Sequence, residues 1–457
     1  MEDIFFCHQC DSFFRGIGMT SEEYIKNVTD QIRIRRIRPQ IAKELSDHIM
    51  DQAAEYCGEG MSEEEAAQCA VREMGEPISV GEELNKIHRV HFPWKSWLFI
   101  TCLFLMTIPM MSTMASLTER ISFQDVFHFQ MRNVILSVLI SFLFCWIDYK
   151  KFLRASTALL ACIDVLLLLA VIQNFYGYVH IGPFAMQAVS LVPFYLPLMG
   201  CEIYQFHTGN TKIRWFSLLN IILPFLFLIL LQAFPTALSL LLGLLLLVET
   251  GKTSLTHRYS SFSLKGSILI VTAGLCASLI FYKKPSTIPP TILMGITKPA
   301  DMQKAWLLSH WMGRSERAVA VLKSGVENAL TDSTFLGMAA IYGKLPALIV
   351  VFILLLLSAM VLWLSGHQSN YLARLIGTGV GLAILLQTVR SVLSSFFSEY
   401  TLGNGLPIFS YGGTGMLMNA MILGMLLSIA AYKDVTPLEL FTAVSKRTIC
   451  NTSSSGN

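Results

Sequence analysis

Ten long apolar runs, almost free of charge, restrict this chain more than any other feature. They fall at about 97–116, 131–147, 155–173, 184–203, 215–232, 234–249, 267–282, 345–364, 371–392 and 410–432. A helix of about 20 apolar residues matches the ~30 Å hydrocarbon core of a bilayer, and in lipid a helix satisfies its own backbone hydrogen bonds. The composition agrees: of 457 residues 53% are hydrophobic and 14% charged, with a mean hydropathy of +0.55. A soluble globular chain is excluded. The predicted class is all-α, a polytopic membrane protein of about ten transmembrane helices with a small amino-terminal cytoplasmic helical domain.

Three regions follow: a cytoplasmic helical domain at 1–90, a membrane domain at 91–434, and a disordered cytoplasmic tail at 435–457. The first 90 residues contain no apolar run suited to a signal peptide. A basic stretch, QIRIRRIR, leads to Pro39, which suits the first turn of a helix carrying Ile41, Leu45, His48, Ile49 and Gln52 on one side. Gly58 and Gly60 stop that helix. Ser62 with Glu65 forms a capping box for a second helix through Ala66, Ala70 and Met74, which Gly75 and Pro77 end, and a last short helix spans about Val80 to His88.

Charge sets the orientation. With the amino terminus inside, Lys150, Lys151, Arg154, Lys212, Arg214, Lys252, Arg258, Lys265 and Arg374 all fall on cytoplasmic loops, whereas the short outer loops hold little beyond Arg120 and Arg132. Both termini are then cytoplasmic, and the long loop at about 283–344 lies outside, where an ordered loop of that length has a task. The net charge of +3 indicates no nucleic-acid partner. Cys7 and Cys10 form one CHQC pair with no second pair at metal-ligand spacing, which speaks against zinc.

Chemistry concentrates near the carboxyl end. Between Gly403 and Lys433 a polar, glycine-rich turn containing Pro407, Ser410, Tyr411, Gly412 and Gly413 runs straight into an apolar helix in which Gly415 and Gly424 permit close helix approach. Such a turn at the membrane edge requires protein or water around its backbone, so it is expected to line a cavity. Asp164 lies inside the third apolar run, either protonated, paired with a neighbouring helix, or functional. Gln387, Arg390 and Glu399 lie near the outer end of the ninth, where a permanent cation pairs with a carboxylate or meets an anion such as phosphate. Asp332, in ALTDSTFLGMAA, stands where the outer loop ends. A helix N-cap by Thr331 or Asp332 accounts for it, as does a carboxylate at a membrane cavity that takes a proton from a sugar hydroxyl or holds a divalent cation near a pyrophosphate.

Two stretches resemble known families. EYCGEGMSEEEAAQCAVREMGEPISVGEEL, within about Ser21 to Arg89, resembles the small helical prefix domain found before many Firmicute permease-like proteins, which implies regulation or docking. LPIFSYGGTG with the final span, LTDSTF about 75 residues upstream, IGPFAMQ at Ile181–Gln187 and TAL at Thr236 resemble the SEDS family of FtsW, RodA and SpoVE over about Trp97 to Asp434.

That second resemblance implies a peptidoglycan glycosyltransferase polymerising lipid II at the outer face of the bacterial cytoplasmic membrane, with a class B penicillin-binding transpeptidase as partner. Asp332 matches the family's essential acidic residue; Gln187, Pro407, Ser410, Tyr411, Gly412 and Gly413 fall in its motifs. A divalent cation, Mg or Mn, is implied as an aid, with no organic cofactor. Assigning Arg390 to the departing pyrophosphate is our own reading, outside the family pattern. Departures are present. QAVSLVPFY stands where relatives carry Gln-Pro-Ser-Glu and a nearby lysine, GYVHI replaces Gly-Arg-Trp, Leu330 replaces a polar residue before Thr331, and Thr414 and Gly415 replace paired serines. They leave room for an alternative: a non-catalytic scaffold, or a transporter of the lipid-linked precursor. An ordinary small-solute permease leaves the outer loop and the GLPIFSYGG turn without a purpose.

Overall fold

The computed structural model describes residues 19–35, 37–117, 122–173, 178–181, 184–231, 233–250, 299–325, 330–331, 333–368, 370–397 and 405–433. Asp332, Glu399, Cys7, Cys10, the apolar run at 267–282 and the basic residues Lys252, Arg258 and Lys265 lie outside these. The described residues form two compact units, one over 19–91 with Tyr432 and Lys433, the other within Phe92–Ala431.

Among the described residues the smaller unit has four helices: α1 (Ser21–Gln31), α2 (Arg38–Gly58), α3 (Glu63–Glu73) and α4 (Pro77–Ile87). Thr20 and Glu23 close a reciprocal capping box on α1, an arrangement the sequence reading places only at Ser62. Ser62 does cap α3, its Oγ accepting from the Glu65 amide and donating to the Glu65 carboxylate at 2.8 Å. Apolar residues at helical spacing, Ile41, Leu45 and Ile49 of α2, meet Tyr24, Val28, Ala70 and Val71 in one core, and Tyr432 packs against it. His48 stays exposed. Gly60 and Gly75, at φ 98° and 84°, end α2 and α3 in the left-handed region that glycine enters without strain.

Among the described residues of the larger unit seven helices are long and apolar enough to cross a membrane: α5 (Trp94–Met114), α6 (Phe123–Trp146), α7 (Tyr149–Gln173), α9 (Thr211–Leu230), α14 (Lys344–Gly366), α15 (Tyr371–Phe397) and α16 (Gly413–Ala431). α10 (Phe234–Thr250), at 17 residues, is a shorter apolar helix. The run at 184–203 is not one continuous span. A hairpin of β1 (Tyr178–Ile181) and β2 (Phe184–Gln187), with Tyr178 opposite Gln187, leads through a 3-10 turn over Ala188–Phe194 into α8 (Tyr195–Thr208), only 14 residues long. Pro193 and Pro197 lack the N–H donors of a regular helix, which favours the break. Of the ten apolar runs, seven are long helices and one a shorter helix among the described residues, and the run at 267–282 lies outside them.

Three short helices, α11 (Pro299–Leu308), α12 (Glu316–Gly325) and α13 (Thr334–Ile341), occupy the loop before α14. α15 is the central span, with 72% of its most apolar window buried, and α14 is peripheral at 28%. α6 and α16 pack along each other closely at Gly424, where an added methyl would come within 2.5 Å of Phe144 Cβ. Gly415, expected to act the same way, has nothing within 4 Å and serves no close approach.

Candidate functional site

The turn at Gly405–Gly412 is held in a conformation that a free peptide avoids. Phe409 N–H donates to Pro407 C=O at 2.7 Å across Ile408, whose φ is +67°, a tight γ-turn on a β-branched residue. Such strain costs on the order of 1–3 kcal/mol and persists only where surroundings over-determine it. Here they do, because Leu406, Ile408 and Phe409 are at most 2% exposed. Pro407 is buried with them, while Ser410, Tyr411, Gly412 and Gly413 are half-buried.

What the turn rests on joins distant parts of the chain. Tyr411 N–H donates to Leu330 C=O at 2.9 Å, and a methyl on Gly405 would meet Thr331 C=O at 2.8 Å. The motif is thus folded onto the residues directly before position 332. Of the two expected caps for the helix that follows, Thr331 is not its N-cap, and Asp332 lies outside the described residues. Ser333 is the N-cap of α13, without a capping bond from its side chain, and Thr334 Oγ donates back to the carbonyls of Leu330 and Thr331 at 3.0 and 2.6 Å. All eight residues of α13 are buried, which fixes the start of the helix.

From α15, Gln387 Nε2 reaches Gly405 C=O at 3.5 Å, the long limit of a hydrogen bond. One turn later Arg390, 8% exposed, donates from Nη1 to Thr236 Oγ1 of α10 at 2.8 Å. Gln387 and Arg390 line a narrow cleft with Leu196, Ser239, Leu240 and Leu386. Its free volume of about 20 Å³ suits ordered water and is far below the ~300 Å³ of a small-molecule pocket.

On the other side of the turn stands α6, whose part the sequence reading did not anticipate. A methyl on Gly413 would come within 3.4 Å of the Asn133 amide, the Phe129 ring lies 4.7 Å from that of Tyr411, and Arg132 sits 5.1 Å over Phe129. Gln130, Asn133 and Ser137 form a fully or almost fully buried polar stripe, Gln130 donating to Thr107 Oγ1 at 2.9 Å. Gln130 Oε1, Asn133 Nδ2 and Ser137 Oγ have no partner among the described residues, an arrangement suited to water or a polar ligand. The spacing i, i+3, i+7 within an apolar run was the available signal.

Asp164 is elsewhere. Its Oδ1 accepts from Tyr195 Oη at 2.6 Å between α7 and α8, the neighbouring-helix pairing that was one of its expected states. Gln187 ends β2 opposite Tyr178, and its side chain lies outside the described residues. As for metal, no group of three His, Cys, Asp or Glu converges among the described residues, and Asp332 lies outside them.

Known proteins share both the motif region and the fold. The FtsW/RodA/SpoVE family model, described as a cell cycle protein, matches residues 320–435. Over 126 residues the chain is 38% identical to the probable peptidoglycan glycosyltransferase FtsW of Enterococcus hirae, an alignment covering 27% of this chain and 30% of that one. The fold resembles the rod shape determining protein RodA of Thermus thermophilus, at a TM-score of 0.52 and 17% identity, over 76% of this chain and 98% of that one. It also resembles a chain from a structure on the coordination of polymerization and crosslinking by a peptidoglycan synthase complex, at 0.50 and 18%, over 74% and 97%. The family's model thus matches the last spans of the chain, and the membrane unit has a RodA-like fold.

Proposed function

We propose that the chain is a peptidoglycan glycosyltransferase that polymerises lipid II at the outer face of the cytoplasmic membrane, with both termini inside. The observation that carries this reading is the folding of the Gly405–Gly413 turn onto Leu330 and Thr331, next in sequence to Asp332, with Gln387 on a third element against the same turn. Three separated segments converge where the sequence places its most chemically pointed carboxylate.

In the proposed step the hydroxyl oxygen of one lipid-linked disaccharide bonds to the anomeric carbon of another, and the bond from that carbon to the pyrophosphate oxygen breaks. Asp332 takes the hydroxyl proton, and the undecaprenyl pyrophosphate leaves with the electron pair. Negative charge grows on the leaving group, so a fixed cation lowers the barrier. Arg390 is assigned that task, with its guanidinium already held by Thr236 at the cleft edge. Ser410, Tyr411 and the open backbone of Gly412 and Gly413 offer donors to sugar or phosphate oxygens. A class B penicillin-binding transpeptidase is the proposed partner, supported by the likeness to a chain of a synthase complex that couples polymerization and crosslinking.

The test is polymerisation of labelled lipid II by the purified protein in liposomes with divalent metal, with and without a candidate transpeptidase, comparing wild type with Asp332→Asn. Glycan strands made by wild type alone support the reading. Strands made equally by both remove Asp332 from the chemistry. No strands from either, while a SEDS protein polymerises alongside, favours the scaffold or transporter.

A further inference from the structure

The basic stretch QIRIRRIR, which no step of the proposed reaction uses, leads from the end of α1 into α2. Its isoleucines serve the core: Ile32 and Ile37 are at most 3% exposed, and Ile34 packs against the same cluster. Arg33 and Arg35 alternate with them and are exposed. Arg38 is already engaged, its Nε donating to Ile32 C=O at 2.8 Å and its Nη1 to Asp30 Oδ1 at 3.2 Å, which pins the turn. The end of α1 lies close against α4, where a methyl on Gly81 would come within 2.7 Å of Gln31 Cβ and of Val28 C=O. One turn further along α4, Asn85 Oδ1 accepts from Arg33 N–H at 3.0 Å. Lys86 and Arg89 follow, both exposed, and Val90 packs back on the core. Arg33, Arg35, Lys86 and Arg89 thus gather around the carboxyl end of α4, and none of them pairs with a carboxylate among the described residues. The acidic residues lie elsewhere: Glu82 and Glu83 a turn earlier on α4, and Glu63, Glu64 and Glu65 at the start of α3, which packs on α2.

The carboxyl end of α4 is also where the chain leaves for the membrane. Arg89 stands five residues before Trp94, at most ~18 Å of extended chain. α5 opens on a group of aromatic rings, with Phe92 4.3 Å from Trp94 and 5.4 and 6.0 Å from Phe142 and Trp146 of α6. Trp94 and Trp146 are 62% and 54% exposed. Indoles grouped where one span begins and its neighbour ends mark the headgroup level. The smaller unit is tied to the spans a second time, since Tyr432, the residue after α16, packs against its core. Two covalent ties keep the unit at high local concentration beside the bilayer, so that docking costs little further entropy.

We propose that Arg33, Arg35, Lys86 and Arg89 dock the smaller unit on anionic phospholipid headgroups of the leaflet at which α5 begins. Guanidinium groups suit that partner, because they present parallel N–H donors to phosphate oxygens. An anionic leaflet favours each nearby Lys or Arg roughly fivefold in the docked-to-free ratio, and the attraction fades within a screening length. Docking of this kind is independent of the reaction that the membrane unit performs.

The test uses the full-length protein in nanodiscs of phosphatidylcholine, with or without phosphatidylglycerol, each with a trace lipid carrying a nitroxide on its headgroup. A fluorescent amino acid is placed by stop-codon suppression at position 40, in the first turn of α2, and separately at position 63, at the start of α3. Phosphatidylglycerol should raise quenching at 40 several-fold and leave 63 little changed, and salt at ~1 M, with a screening length of ~3 Å, should reverse the rise. Arg33→Gln combined with Arg35→Gln should lower the docked-to-free ratio roughly 25-fold, whereas Arg33→Lys with Arg35→Lys should keep most of it. Equal quenching in the two lipids, a rise that survives high salt, or a rise at 63 that matches the one at 40 overturns the proposal. So does an undiminished phosphatidylglycerol effect in the glutamine variant; should that variant fail to fold, the wild-type comparison of lipids and salt decides alone.

Discussion

Replacing Gly405 by alanine tests the central geometric claim, that the glycine-rich turn is seated directly on the segment before Asp332. The new methyl would lie 2.8 Å from Thr331 C=O and 2.9 Å from Ser410 Cβ, where 3.4 Å is ordinary contact. Backbone carbonyl and turn must then separate by about 0.6 Å, because neither is the free end of a flexible side chain. Overpacking of this kind costs about 1–3 kcal/mol of stability, and a 1 Å misplacement of reacting groups costs up to ~100-fold in rate. A shift of about half that size predicts roughly a tenfold loss of polymerisation, about 1.4 kcal/mol of transition-state stabilisation. The matched control is Gly415→Ala. Its methyl has nothing within 4 Å, and alanine favours a helix interior over glycine by about 0.5–1 kcal/mol. Both variants would be assayed for glycan strands from labelled lipid II and for thermal unfolding in the same detergent. Gly405→Ala with wild-type rate and stability, or Gly415→Ala equally damaged, refutes the seating of the turn.

Other perturbations separate chemistry from architecture. Asp332→Asn should abolish strand formation while leaving accumulation and thermal unfolding unchanged, since the swap preserves shape and removes the proposed base. Tyr195→Phe should cost about 1–3 kcal/mol in thermal unfolding by leaving the buried Asp164 carboxylate without its donor, and Asp164→Asn in that background should recover part of the loss. In the smaller unit, Tyr24 Oη donates to Met74 C=O at 3.0 Å, and burial raises the pKa of the phenol above its ordinary value. The unfolded chain releases that proton first, near pH ~10, so the stability Tyr24 contributes is whole below that pH and declines as the pH rises toward the higher folded value. Hydrogen exchange of α1 and α3 amides in the full-length protein should therefore accelerate above pH ~10 more in wild type than in Tyr24→Phe.

Much of the architecture was legible in one dimension. A bilayer-length apolar run has few solutions, and spacing at i, i+4 and i+8 was enough to identify Ile41, Leu45 and Ile49 as core. The motif residues from Pro407 to Gly413 stood out because proline, serine and glycine are unusual at a membrane edge. The run at 184–203 misled because hydropathy registers apolar content and not backbone path: hairpin, 3-10 turn and short helix are as apolar as a span. Gly415 misled for a related reason, since a glycine's use depends on what faces it.

The sequence by itself determined the helical class, the apolar surroundings of its long helices and a short list of candidate side chains, because these follow from local composition and from period. Tertiary structure alone decided which of those side chains meet. The strain at Ile408 survives only inside its buried surroundings. Asn133 faces Gly413 only because α6 and α16 pack closely, and the seat of the turn on Leu330 joins residues some 80 positions apart. Contacts of that range depend on how several helices pack at once, which no single stretch of the chain encodes.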